Sequence, residues 1–224
     1  MLEAGSGAGR FTEVLATTGA QVTTFDLSSA IYANQKNNGH NQNVRFFQAD
    51  IFDPPFAFES FDLVVCLGVV QHTPDPLRAV ESLARFVKPG GRLVVDCYAK
   101  NLRSLVSWKY VLRPMTKHIK KEFLYDVLQK VVPPLIRPSA WLRHHFGPAG
   151  MRLLPILQYE HWGIPPELNR DWAILDTFDM LSPKYDNPQT LRAVRGVFDR
   201  LGLKQADVRY GANGVAASGY RPAL

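Results

Sequence analysis

Over the first hundred positions, short apolar runs alternate with amphipathic stretches. Val22–Asp26, Val44–Asp50, Phe61–Leu67 and Arg92–Tyr98 are brief and rich in Val, Leu and Phe, and are predicted as strands. Between them Arg10–Thr18, Ser28–Asn37 and Pro76–Val87 carry helical spacing. Ser28 is placed to cap the second helix and Pro76 to open the third. The strand runs are continuously apolar rather than alternating, which fits a sheet covered on both faces. Alternation of strand and helix predicts parallel strands joined by right-handed crossovers, an α/β sheet.

Past Tyr98 the texture changes. Residues 99–187 hold many aromatics, the pairs Pro133-Pro134 and Pro165-Pro166, and two helical-looking stretches, with no parallel-strand pattern. A regular helix returns at Pro188 and runs to Leu201, followed by short strands at Lys204–Tyr210 and Val215–Tyr220. There is no internal repeat or low-complexity segment. The expected organisation is one α/β domain, residues 1–98 and 188–224, interrupted after its fifth strand by a mostly helical insertion, residues 99–187, that caps it or receives substrate.

A chain of 224 residues, 46% hydrophobic and 21% charged, can bury a core without staples. Cys66 and Cys97 lie in predicted strands and no CxxC or His/Cys cluster accompanies them, so no metal is expected and both read as core thiols of a reducing compartment. No apolar run is long enough to span a bilayer and no basic-then-apolar leader opens the sequence; a cytoplasmic protein is expected, with peripheral contact at the inner membrane face an open alternative. The formal charge is +6. Eleven Lys or Arg between Lys100 and Arg152 face only Glu122 and Asp126, a net of +9, which leaves the remainder at −3. The basic character therefore belongs to the insertion.

The candidate chemistry begins at Glu3-Ala4-Gly5-Ser6-Gly7-Ala8-Gly9-Arg10, where an apolar strand end meets an acid, three alternating glycines and a helix. Glycines allow a tight turn and close approach to a ligand, and ligands of open α/β sheets sit beyond the carboxyl ends of the strands. A dinucleotide fingerprint wants its third glycine where Arg10 stands, which argues against a nicotinamide or flavin site. Asp26 ends the second strand about 20 residues on, where a carboxylate can accept hydrogen bonds from a ribose diol; it could equally serve the N-terminus of the next helix. Asp50 ends the third strand run, suited to an adenine amino group with Ile51 against the ring, or to capping a loop.

Taken together these residues resemble the class I S-adenosylmethionine-dependent methyltransferases of the type 11/12-like kind. LEAGSGAGRF is similar to that family's first motif, TTFDLS to its second-strand acid, FFQAD to its third, FDLVVCLGVVQHTPDP to the fourth strand with its loop, and VKPGGRLVVDCY to the turn and fifth strand. The resemblance covers residues 1–98, with the helix and strands of 188–224 as the expected ending. It implies a Rossmann-like, doubly wound sheet of strand order 3-2-1-4-5-7-6 with strand 7 antiparallel, and S-adenosyl-L-methionine as cofactor. It also implies that Glu3 and Ala4 help place the methionine end, that Gly5, Gly7 and Gly9 line the cofactor with Leu27 and Leu67, that Asp26 holds ribose, and that Asp50 with Ile51 holds adenine. Family members carry a longer first strand and usually covering helices before the glycine loop. Here that strand is reduced to Met1–Ala4, so a shortened start is expected.

Asp53-Pro54-Pro55-Phe56 spells the D-P-P-F signature of amino-group methyltransferases, but it follows the third strand rather than the fourth and reads as a turn. Methyl transfer to a hydroxyl needs a base, and His72, in the loop after the fourth strand, is the candidate; ordering that loop is its alternative role. Trp108, Tyr110, Phe123, Tyr125 and Trp141 interleave with the insertion's cations. Four readings stay open there: a lid for an acidic or phosphate-bearing substrate, contact with an anionic membrane, an RNA surface, and a solvated helical cap. His161 and Tyr185 could reach substrate or fasten the insertion. The expected function is methyl transfer to a small molecule, on oxygen of a sugar, lipid or quinone-like acceptor. RNA methylation and a non-catalytic cofactor-binding protein are the alternatives.

Overall fold

The computed structural model describes residues 1–100, 108–150 and 153–223. The chain divides into two compact units, Met1–Lys100 with Tyr185–Leu224, and Asn101–Lys184.

The first unit is a seven-stranded sheet. Its strands are β1 (Leu2–Ala4), β2 (Val22–Asp26), β3 (Val44–Gln48), β4 (Phe61–Cys66), β5 (Val87–Cys97), β6 (Lys204–Gly211) and β7 (Gly214–Tyr220), in the order β3-β2-β1-β4-β5-β7-β6. Strands β1 to β5 run parallel where they pair, and β7 is antiparallel to β5 and β6, as the family resemblance implies. Helices α1 (Arg10–Ala16), α2 (Ala30–Asn38), α3 (Pro76–Ala84) and α7 (Leu191–Arg200) belong to this unit. Leu2, Val64 and Leu93 on three neighbouring strands are fully buried, as are Leu83 of α3 and Phe198 of α7 in the same cluster. Each such side chain contributes about 1.5–3 kcal/mol of burial free energy.

Several boundaries move from the sequence expectation, each for a local reason. Helix α1 stops at Ala16 because the hydroxyls of Thr17 and Thr18 bond the carbonyls of Val14 and Leu15, closing the last turn. Helix α2 starts at Ala30, with Ser29 at the cap position. The Ser28 hydroxyl donates to Asp26 at 2.6 Å and accepts from the Ala30 amide at 3.3 Å. Strand β3 ends at Gln48, leaving Asp50 in the following turn. Strand β5 begins at Val87, which pairs with Phe61 before a register shift. Helix α7 begins at Leu191, because Thr190 accepts from the Ala193 amide at 3.1 Å and so caps it.

The second unit contains α4 (Trp108–Thr116), α5 (Lys121–Gly150), whose path is broken at Gly147, and α6 (Pro166–Leu181). Leu124, Leu128 and Val132, one row of α5, are buried with Ile156, Ala173, Ile174 and Leu181. Buried Arg113 donates to the Met180 carbonyl and Thr116 to that of Leu181 at 2.8 Å, tying α4 to the end of α6. Of the insertion's predicted cations, Arg103 and Arg152 lie outside the described residues. Among the described residues no helix is long and apolar enough to cross a membrane.

Candidate cofactor and active site

Strand order reverses between β1 and β4: the chain winds outward to β2 and β3 on one side and to β5 on the other. Such a switch point opens a crevice at the carboxyl ends of the strands. Two loops flank it here, the glycine loop after β1 and the segment after β4. They touch, since a Cβ on Gly5 would lie 2.4 Å from a methyl of Val69.

The three glycines differ in what they face. All have positive φ, at 73°, 54° and 96° for Gly5, Gly7 and Gly9. A side chain on Gly9 would meet the Asn34 amide oxygen at 2.1 Å, whereas at Gly7 nothing lies within 4 Å. Gly5 and Gly9 are thus required by neighbours in the protein, and Gly7 presents bare backbone to open space.

A buried polar network fixes this loop. The Thr12 hydroxyl donates to Glu3 Oε2 at 2.5 Å, and the Asn34 amide reaches Thr12 Oγ1 at 2.7 Å and Ser6 Oγ at 2.9 Å. Asn38 donates to the Gly9 carbonyl at 3.1 Å and Asn37 to that of Ala8 at 3.0 Å. Thr12, Asn34 and Asn38 escape a reading based on motifs. Their signal was polar residues on the inward faces of α1 and α2, which a hydrophobic pattern discards.

Glu3 is 3% exposed, and burial raises its carboxyl above the ordinary value of 4.5. Thr24, its partner on β2, offers the carboxyl a second hydroxyl beside that of Thr12, and both oppose the rise. A buried carboxyl at the start of this loop fits a cationic or N–H-bearing ligand group. Asp26 Oδ2 accepts from the Gly7 amide at 2.8 Å, and Oδ1 from the Ser28 amide at 2.8 Å. Oδ1 also accepts from the Ser28 hydroxyl at 2.6 Å, so three of a carboxylate's about four acceptor positions are filled and one remains for a ribose hydroxyl. The donors and acceptors present therefore fit S-adenosylmethionine: Glu3 for its amino-acid end, Gly7 for close approach, Asp26 for ribose.

The remaining expected contacts fall as follows. Ala4 is buried in the core, Leu27 is 66% exposed and Leu67 is half-buried just past β4. Asp50 is exposed and its Oδ1 accepts from the Phe52 amide at 2.9 Å, so it closes a turn, while Ile51 packs in the main core. The Asp53-Pro54-Pro55-Phe56 turn places the Phe56 ring edge-on to Phe47, Phe61 and Phe86. Cys66 and Cys97 are buried free thiols; burial raises both, Cys97 to about 12. Among the described residues no three His, Cys, Asp or Glu gather as a metal-holding group.

On the β4 side, His72 ends a 3-10 turn, Val70–His72. Its Nδ1 lies 3.1 Å from the Tyr185 carbonyl and its ring meets Tyr98 edge-on at 5.5 Å. A carbonyl can only accept, so this bond puts a proton on Nδ1; in the neutral ring the lone pair then stands on Nε2. The returning chain holds the loop. The Asn187 amide donates to the Gln71 carbonyl and its side chain to that of Thr73, each at 2.8 Å. The Gln189 amide donates to the Tyr98 carbonyl at 2.8 Å. The Tyr185 carbonyl is part of this hold. His161 belongs to the helical unit.

Two further polar groups at this edge carry no role in the sequence reading. Asp96, near the end of β5, accepts from the Gly68 amide and from Asn213, and burial raises its carboxyl. An acid at a strand's carboxyl end, as at Asp26, is its signal. Gln71 is fully buried and its amide makes no hydrogen bond among the described residues.

A family model described as "Methyltransferase domain" matches residues 2–95. A ubiquinone biosynthesis O-methyltransferase of Xylella fastidiosa (strain 9a5c) is 31% identical over 176 residues, covering 72% of this chain and 65% of that protein, so the chain spans just under two thirds of its length. The protein of the same description from Coxiella burnetii (strain Dugway 5J108-111) is 31% identical over 181 residues, covering 78% of this chain and 73% of its own. A solved SAM-dependent methyltransferase from Methanosarcina mazei matches with a TM-score of 0.56 over 100% of this chain and 92% of that one, at 17% identity, a likeness of fold.

Proposed function

Since the chain belongs to the class I S-adenosylmethionine-dependent methyltransferases, we propose that it methylates the hydroxyl oxygen of a small quinone-like acceptor, with His72 as the base. The observation that carries this reading is the convergence, at one switch point, of a bare Gly7 backbone, the Asp26 carboxylate, the buried carboxyl of Glu3 and the loop bearing His72. The named relatives, which are ubiquinone biosynthesis O-methyltransferases, support oxygen as the acceptor atom.

When bound, S-adenosylmethionine supplies an electrophilic methyl on sulfonium, a leaving group that needs no protonation. The protein's share is placement and one proton. Asp26 and the glycine loop hold the nucleoside, and Glu3 orients the amino-acid end. His72 Nε2 takes the acceptor's hydroxyl proton while Nδ1–H keeps its bond to the Tyr185 carbonyl, which orients the ring. That leaves the acceptor oxygen as the nucleophile for the methyl that the cofactor would supply. Ordering both loops by backbone bonds places the groups before substrate arrives, which supplies much of the rate.

Calorimetry with S-adenosylmethionine, followed by a methylation assay on a catechol acceptor, tests this. Micromolar binding that is lost in Asp26→Ala, with methyl found on oxygen, is the expected result. Absence of cofactor binding, or methylation of nitrogen alone, overturns it.

A second surface has its own observation. Phe123, Val127 and Val131 form a row of i, i+4 positions on α5 that stays 62%, 37% and 46% exposed. Lys120, Lys121 and Lys130 are interspersed with it. Exposed apolar rows beside lysines support contact with an anionic bilayer over binding of RNA. Flotation with phosphatidylglycerol vesicles, lost in Phe123→Asp, is the expected outcome; salt-sensitive RNA binding without flotation would reverse the assignment.

A further inference from the structure

The helical unit contains a cavity of about 570 Å³, within the range of small-molecule sites. One wall is a face of α5: Arg137, Trp141 and His144 follow at i, i+4 and i+7, with Ala140 leaving space between them. The other wall is the segment from Gln158 to His161, which enters the 3-10 turn Glu160–Trp162. Arg143 completes the lining.

Two guanidiniums, Arg137 and Arg143, and two imidazoles, His144 and His161, stand in this lining, with Glu160 the single acid. The imidazole of His161 is held below the ordinary histidine value, by desolvation first and by the charge of Arg143 second, so those two groups share one field. Gln158 is 1% exposed. Its Oε1 accepts from the Glu160 amide at 2.9 Å, while its buried Nε2 donor makes no hydrogen bond among the described residues. Trp141 is 56% exposed, an indole offered beside the cations. Guanidinium forks match phosphate oxygens two at a time, and neutral imidazoles add N–H donors that a phosphate's three oxygens can accept.

We propose that this cavity binds a phosphate monoester carrying an apolar or aromatic body, the phosphate against Arg137, Arg143, His144 and His161 and the body on the indole of Trp141. The site lies wholly within the helical unit and does not depend on the methyl-transfer reading.

The test is calorimetric titration of the full chain with phenyl phosphate, inorganic phosphate, benzoate, phenol and monomeric dihexanoyl phosphatidic acid. Phenyl phosphate is expected to bind more tightly than benzoate, and phenol not at all. Arg137→Gln is expected to weaken phenyl phosphate about tenfold or more, the size of a charge-assisted hydrogen bond. Arg137→Lys, which keeps the charge and loses the fork, is expected to fall between. Trp141→Ala is expected to weaken phenyl phosphate while sparing inorganic phosphate. Preference for the short phospholipid assigns the site to a lipid headgroup, and preference for phenyl phosphate to a soluble ester; either supports it. Equal binding of phenol or benzoate, no binding of any phosphate, or binding unchanged in Arg137→Gln overturns it. Asp26→Ala should leave phenyl phosphate binding intact and Arg137→Gln should leave S-adenosylhomocysteine binding intact, so failure of one site is distinguishable from failure of the other.

Discussion

In the sheet unit Glu3, Thr12, Asn34 and Asn38 form one buried hydrogen-bonded network under the glycine loop, and Gly7 presents bare backbone above it. In the helical unit α5 buries Leu124, Leu128 and Val132 and exposes Phe123, Val127 and Val131, the row one position earlier. Its cavity is walled by long cationic and aromatic side chains. The first unit builds its site from strand ends and turns, where geometry follows from the sheet. The second builds its surfaces from side chains spaced along helices, where chemistry changes with one substitution and the backbone does not.

The sharpest way to break this comparison is His72→Ala. Loss of a general base is expected to lower turnover about 10²- to 10⁴-fold with S-adenosylmethionine affinity near wild type, read by steady-state kinetics and calorimetry. Turnover near wild type would return His72 to loop ordering. Next in size, Asp26→Ala should weaken the cofactor about 10- to 100-fold, the range of a charge-assisted hydrogen bond, and leave the helical unit's phosphate binding unchanged.

The glycines sharpen the point. Gly9→Ala drives a methyl into Asn34 and Asn38 and should cost about 1–3 kcal/mol of stability by overpacking, measured by urea unfolding. Gly7→Ala meets nothing within 4 Å and should cost only about 1 kcal/mol for its left-handed φ, while cofactor affinity falls. Equal stability losses for the two would dissolve the distinction drawn between them.

Glu3→Gln gives the smallest effect, in the opposite direction. Burial raises the Glu3 carboxyl, so the folded state holds its proton more tightly than the unfolded chain. The stability that this provides is present below the ordinary value of 4.5 and is lost as pH rises through the raised folded value. The glutamine variant should therefore melt higher at pH 7, read by thermal unfolding, with the gain vanishing below pH 4.5. Cofactor affinity should fall at the same time, since Glu3 Oε1 loses its charge.

The amino-acid sequence by itself determined the strands, their parallel pairing and the glycine loop, because apolar runs, helical periodicity and glycine spacing are local signals that the sheet obeys. Family order of the motifs added the strand order and the cofactor. Asp26 was legible for the same reason, standing at a strand end. Tertiary structure alone decided the rest. Asp50 accepts from the Phe52 amide, a loop contact that no spacing encodes. The Thr12–Asn34–Asn38 network joins residues up to 26 positions apart, and the His72 tautomer is set by a carbonyl 113 positions away. The helical cavity brings Arg137 and Trp141 to Gln158 and His161 across a broken helix. Contacts at such separation are chosen by packing, and packing is a property of the whole fold.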